Sequence, residues 1–165
     1  MKAVGFALLA VIVAGCLEPI AGEREVRAFV VLDGNEVTLD LRVGRATLRA
    51  GGTMLINATV TNHGPGTVYV SMGGCGIEYG VAYLDGRTRS RPVYVCTANV
   101  EWRALPPGET IDESWEWDGR TVGQDEDDAR YVAGRYELSV TAHLAAERDG
   151  SDPAPLRADL EVRLL

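Results

Sequence analysis

The side chains in this chain that could do chemistry are three cysteines, two histidines and many carboxylates, and their spacing decides which reactions are open to it. Cys16 closes an apolar run from Ala3 to Val13 that follows Met1-Lys2, whereas Cys75 and Cys96 lie about twenty residues apart in the body of the chain. His63 falls in a turn-like stretch and His143 on the polar face of a strand pattern; neither has a compact metal-ligand spacing or an adjacent acid. Met54 and Met72 do not complete a zinc or copper set around them. Hydrolysis needs a nucleophile, a base and an orienting group at defined separation, and neither Gly-x-Ser-x-Gly nor His-Glu-x-x-His occurs. Carboxylates are so abundant that any chosen acid/base pair is arbitrary. The expectation is a non-enzyme, with no catalytic, cofactor or metal residue assigned.

Two further groups have alternative readings. Gln124-Asp125-Glu126-Asp127-Asp128 offers oxygens for weak calcium binding, but it lacks the glycine and downstream bidentate glutamate of an EF-hand loop, so a solvated acidic loop is the competing reading. Trp115 and Trp117 are spaced two apart and share a strand face with Ile111. They serve either as packing between sheets or as an interaction platform for a peptide or carbohydrate. Asn57-Ala58-Thr59 is a glycosylation sequon, with a polar position inside a strand as the simpler account.

Charge narrows the partners. The chain of 165 residues has a formal net charge of −8, and its single lysine, Lys2, lies in the N-terminal segment. An acidic surface without a long basic stripe disfavours phosphate backbones, so nucleic acid is not expected as a partner. The apolar run after Lys2 fits the general export pattern and is too short for a membrane-spanning helix, which needs about 20 residues. Three readings of it remain open: a lipoprotein signal, an ordinary secretory signal, and a buried segment.

These groups must be positioned by strands. Met54, Ile56, Ala58 and Val60 alternate with Leu55, Asn57, Thr59 and Thr61 until the turn-like Asn62-His63-Gly64-Pro65-Gly66. Tyr136, Leu138, Val140, Ala142 and Leu144 form one face opposite Glu137, Ser139, Thr141 and His143, and Leu156 to Leu164 alternates likewise. Further strands are expected over residues 26–32, 37–43, 67–72, 77–84, 92–103 and 109–117, punctuated by Asp33-Gly34-Asn35, Gly51-Gly52, Asp85-Gly86 and Pro106-Pro107-Gly108. No stretch carries a helical stripe. The expected fold is all-β, an antiparallel β-sandwich.

Two resemblances add to this. Val13-Ala14-Gly15-Cys16 resembles the lipobox of bacterial-type lipoprotein precursors. The resemblance implies a signal peptide over residues 1–15, lipidation of Cys16 as the new N-terminus, and a membrane-held tether over 16–25 before a single domain at 26–165. Leu17 in place of aspartate resembles outer-membrane sorting where the cell has two membranes. With Cys16 acylated and the domain exported, Cys75 and Cys96 are left to form one structural disulfide.

From about Met54 to His143 the chain resembles the BsuPI-type proteinase-inhibitor family of immunoglobulin-like sandwiches. The resemblance runs through Ile56-Asn57-Ala58-Thr59-Val60-Thr61-Asn62, Gly74-Cys75-Gly76-Ile77-Glu78-Tyr79-Gly80-Val81, Leu105-Pro106-Pro107-Gly108-Glu109-Thr110, Trp115-Glu116-Trp117-Asp118 and Gly134-Arg135-Tyr136-Glu137-Leu138. It implies an immunoglobulin-like sandwich, with residues 26–50 and 156–165 adding N- and C-terminal strands. The functional expectation is an extracytoplasmic, membrane-anchored protein-binding or structural module in the cell envelope, with an unnamed protein as partner. Proteinase inhibition is the alternative, followed by small-ligand binding or an uncharacterised enzymatic activity.

Overall fold

The first hairpin shows how local sequence sets the register. Strands β1 (Arg24–Leu32) and β2 (Asn35–Val43) pair antiparallel from Arg24 opposite Val43 to Leu32 opposite Asn35, joined by Asp33-Gly34. Both turn residues have positive φ, 48° and 79°, the two-residue connection that matches strand twist and that Asp-Gly favours. The computed structural model of the chain describes residues 22–72, 76–91 and 100–165. Cys16, Cys75 and Cys96, and most of the strand expected over 92–103, lie outside the described residues.

The remaining strands are β3 (Thr47–Leu48), β4 (Met54–Asn62), β5 (Val68–Ser71), β6 (Ile77–Tyr83), β7 (Arg89–Ser90), β8 (Trp102–Leu105), β9 (Thr110–Trp117), β10 (Arg120–Gly123), β11 (Arg130–Tyr131), β12 (Gly134–Ala145) and β13 (Ala154–Leu164). One sheet has the order β1-β2-β4-β9; the other runs β11-β10-β7-β6-β12-β13-β3, with β5 on β12 and β8 on β5. The chain is therefore an all-β sandwich, with strands added from both its N- and C-terminal regions. Among the described residues pairing is antiparallel with one exception: Thr47 and Leu48 run parallel to Arg163 and Leu164. After β2 the chain crosses to the second sheet, where Arg163 N–H donates to the Ala46 carbonyl at 2.8 Å, and then returns as β4.

The core lies between the inner faces. Val37, Leu39, Leu41, Val43, Ile56, Ala58 and Val60 face Leu138, Val140, Ala142, Leu144, Leu156 and Leu164, all buried in one apolar cluster. Removing one such Leu or Val side chain from water contributes roughly 1.5–3 kcal/mol, so these alternating strands supply most of the driving force.

Alternation predicts β4, β12 and β13 closely, but it misses β3, β7, β10 and β11. Two to four residues are too few to show a period, and these strands are fixed by their neighbours. The interval after Trp117, for which the sequence suggests no strand, contains β10 and β11. Polar ties close the other end of the sandwich. Asn62 continues the inward phase of β4 and is fully buried; its Nδ2 donates to the carbonyls of Gly66 at 2.7 Å and Leu105 at 2.9 Å, and its Oδ1 accepts from Gly64 N–H at 2.9 Å.

Candidate functional site

Strand alternation places Ile111, Glu113, Trp115 and Trp117 on one face of β9, with Ile56 opposite Trp115 and Met54 opposite Trp117. The two indoles have different environments. Trp117 is buried, donates from Nε1 to the Arg120 carbonyl at 3.1 Å, and meets Tyr136 of the second sheet edge-on at 5.9 Å. Tyr136 in turn meets Tyr83 edge-on at 4.8 Å and donates its hydroxyl to the Val132 carbonyl at 2.8 Å. This aromatic chain joins the sheets, and burial raises the Tyr136 phenol above its ordinary value.

Trp115 is half-buried. It tilts against Tyr79 with ring centroids 5.5 Å apart, and the Arg91 guanidinium sits 3.9 Å from the Tyr79 ring centre, within cation–π range. Beside it opens a cleft of about 370 Å3 lined by Tyr79, Arg91, Glu116, Trp117, Asp118 and Arg120. Such a wall presents aromatic area with charges of both signs around it, a composition suited to binding a polar or peptide surface.

A larger cleft of about 980 Å3 opens at the same end of the sandwich, and Thr53 lines both. Leu48, Met54, Leu55 and Leu165 form its apolar part, and Arg45, Arg49 and Arg163 stand around it. The three arginines are exposed and take part in no ion pair among the described residues. Sequence reading misses this feature because its residues come from a crossover, a turn and a strand end far apart in the chain.

The acidic segment is partly structural. Asp125, Asp127 and Asp128 are exposed, but Glu126 turns inward onto Arg89, accepting from its two terminal nitrogens at 2.9 and 3.0 Å. Arg89 is buried and also donates to the Thr121 hydroxyl at 3.0 Å and the Thr121 carbonyl at 2.9 Å. One of the carboxylates considered for calcium is thus committed to an arginine. No group of three or more His, Cys, Asp or Glu placed to hold a metal ion occurs among the described residues. His63 contacts the Thr38 hydroxyl through Nε2 at 3.0 Å, and His143 lies on the outward phase of β12. In the sequon, Thr59 donates to Asp112 at 2.7 Å, a cross-strand tie between β4 and β9.

The Arg89 guanidinium holds the Glu126 carboxyl below its ordinary value of 4.5, its hydrogen bond being the largest influence. A carboxyl lowered in the folded state stabilises the fold above that ordinary value and loses this contribution as pH falls through the lowered one. Glu126→Gln is therefore expected to flatten the acid limb of stability below about pH 4.5, as read by chemical unfolding at a series of pH values. An unchanged limb would show that the pair is not coupled to folding.

No family model matches the chain, and no curated protein matches it. Among solved structures it is similar to part of a beta-glucosidase from Listeria innocua, with 17% identity and a TM-score of 0.44 over 79% of this chain and 16% of that one. A second is the b-glucosidase EmGH1 from Erythrobacter marinus, with 13% identity and a TM-score of 0.42 over 94% of this chain and 18% of that one. The chain spans less than a fifth of either enzyme's length, and a likeness this distant assigns no activity.

Proposed function

We propose that the chain is a membrane-tethered module that faces an extracytoplasmic compartment and acts by binding another protein. The observation that carries the binding half is the half-buried Trp115 packed on Tyr79 beside Arg91 and an open cleft. A partly exposed indole fixed by its neighbours offers large contact area at small entropy cost. β9 also ends its sheet and pairs only with β4 among the described residues, so sheet-edge contact is available. Asp112 and Glu116 on its exposed phase favour a partner with complementary positive charge. The tether half rests on Val13-Ala14-Gly15-Cys16 and on β1 starting at Arg24, only a few residues later.

Site-specific photocrosslinking from half-buried Glu113, on the same face of β9 as Trp115, in native membranes tests the binding half. A discrete protein adduct, lost in Trp115→Ala while the fold is retained, is expected. No adduct from this position alongside adducts from the far loop at Asp149 would contradict it, and a turnover activity abolished by a cleft substitution would replace binding with catalysis.

Export also makes Cys75 and Cys96 the pair to be oxidised. The described residues on either side of them support this: Met72, three positions before Cys75, donates its N–H at 2.7 Å to the carbonyl of Glu101, five positions after Cys96. Closing a loop of about twenty residues stabilises by roughly 3 kcal/mol through the unfolded chain. Peptide mapping without reductant should recover the linked pair; two free thiols in protein from its own compartment would reject it.

A further inference from the structure

β1 enters at Arg24 opposite Val43, so the N-terminal segment leaves the sandwich at the end that carries Gly44, Arg45, Arg49, Met54 and Arg163. Some charges here are answered: Arg42 pairs with Glu25 at 3.0 Å, Arg120 with Asp118 at 3.5 Å, and Arg135 with Asp85 at 3.2 Å, while exposed Glu116, opposite Leu55, and Asp125, Asp127 and Asp128 are in no ion pair among the described residues. Arg45, Arg49 and Arg163, the last also near enough to Asp85 to favour its charged form, are in no ion pair among the described residues and stand around an apolar cleft whose Leu55 and Leu165 are about half exposed, at 49% and 50%. At the opposite end the turns expose Asp33, Glu36, Glu109, Glu147, Asp149 and Asp152, none in an ion pair among the described residues, with Arg148 as the single cation in these turns.

We infer that the arginine-rimmed cleft docks the domain on an anionic phospholipid surface, headgroup phosphates meeting the three arginines and the apolar side chains settling at the acyl boundary. This rests on the tethered reading proposed above. From Cys16 to Arg24 the chain reaches at most about 28 Å, which holds this end within range of the bilayer. The acidic turns of the opposite end are repelled by the same surface, which adds to the tether in setting the orientation. Docking would also fix how the cleft lined by Tyr79 and Trp117, on the same end of the sandwich, is presented to a partner.

The test uses the full chain, produced in a lipoprotein-processing host and reconstituted into vesicles of phosphatidylcholine alone or with added phosphatidylglycerol. Hydrogen exchange should slow over residues 44–55 and 161–165 only with phosphatidylglycerol, and the protection should fade at high salt. Arg45→Ser/Arg49→Ser/Arg163→Ser should abolish it, while the triple lysine variant retains it. Flotation of the unacylated Cys16→Ser chain with phosphatidylglycerol vesicles should weaken about fivefold per arginine removed, on the order of 100-fold for all three. Equal exchange in the two vesicle types would overturn docking. So would equal protection by a soluble acyl phosphate without vesicles, which would assign the cleft to a free amphiphile. Intact mass of the same sample separates the two readings: an acylated Cys16 without lipid-dependent protection sinks docking alone, whereas an unacylated Cys16 sinks the anchor.

Discussion

Asn62→Ala is expected to cost about 3 kcal/mol, because three backbone groups lose their partner at once in a place water does not reach. The side chain is fully buried and ties the end of β4 to Gly64, Gly66 and Leu105. Its own backbone adds two more links, accepting from Gly108 N–H at 2.8 Å and donating to the Glu109 carbonyl at 3.1 Å. Among the described residues no buried side-chain polar atom lacks a partner, and the Asn62 amide meets that rule through backbone groups that the substitution would leave unpaired. Asn62→Asp should also be destabilising, since it keeps the acceptor for Gly64 but loses both donated bonds and brings a charge into the core. Urea unfolding reads the effect as a lower midpoint with an unchanged slope. A loss below about 1 kcal/mol would mean that water or a shifted turn replaces the amide.

Trp117→Ala is expected to cost as much or more, about 3–5 kcal/mol, from the lost burial and the cavity left between the sheets. The indole also satisfies the Arg120 carbonyl and meets Tyr136 across the sandwich. Trp115→Ala should be milder for stability, because Trp115 is only half-buried, against the Tyr79 that lines the cleft, but it should remove partner binding. Paired denaturation and crosslinking measurements on the two variants check this division. Equal destabilisation with no change in crosslinking would make both residues plain packing.

The division between these tryptophans marks the limit of what was legible in the chain. Alternation correctly puts both on the face of Ile111, but period two says only which way a side chain points, not whether another sheet covers it. Asn62 is the converse case. It continues the inward phase of β4, yet its type and the following His-Gly-Pro-Gly read as a turn; the structure makes it both the turn and a buried hub. β12 and β13 are legible because eleven paired positions repeat one rule. Arg89 and Glu126 are not: they lie in charge-rich stretches that resemble solvated loops, and only pairing of β7 with β10 brings them together. The arginine-rimmed cleft has no linear signature at all, since Arg163 reaches Arg45 and Arg49 through the parallel β3–β13 contact.

The central claim is that this sandwich works while held at a membrane by Cys16, and intact mass combined with membrane fractionation of the native chain tests it most directly. The account predicts a mature protein beginning at Cys16, heavier than its polypeptide by more than one acyl chain because a single chain binds only reversibly, and recovered with membranes. Cys16→Ser should lose the added mass and leave the membrane fraction. A wild-type chain that carries no lipid and partitions like the variant would contradict the claim.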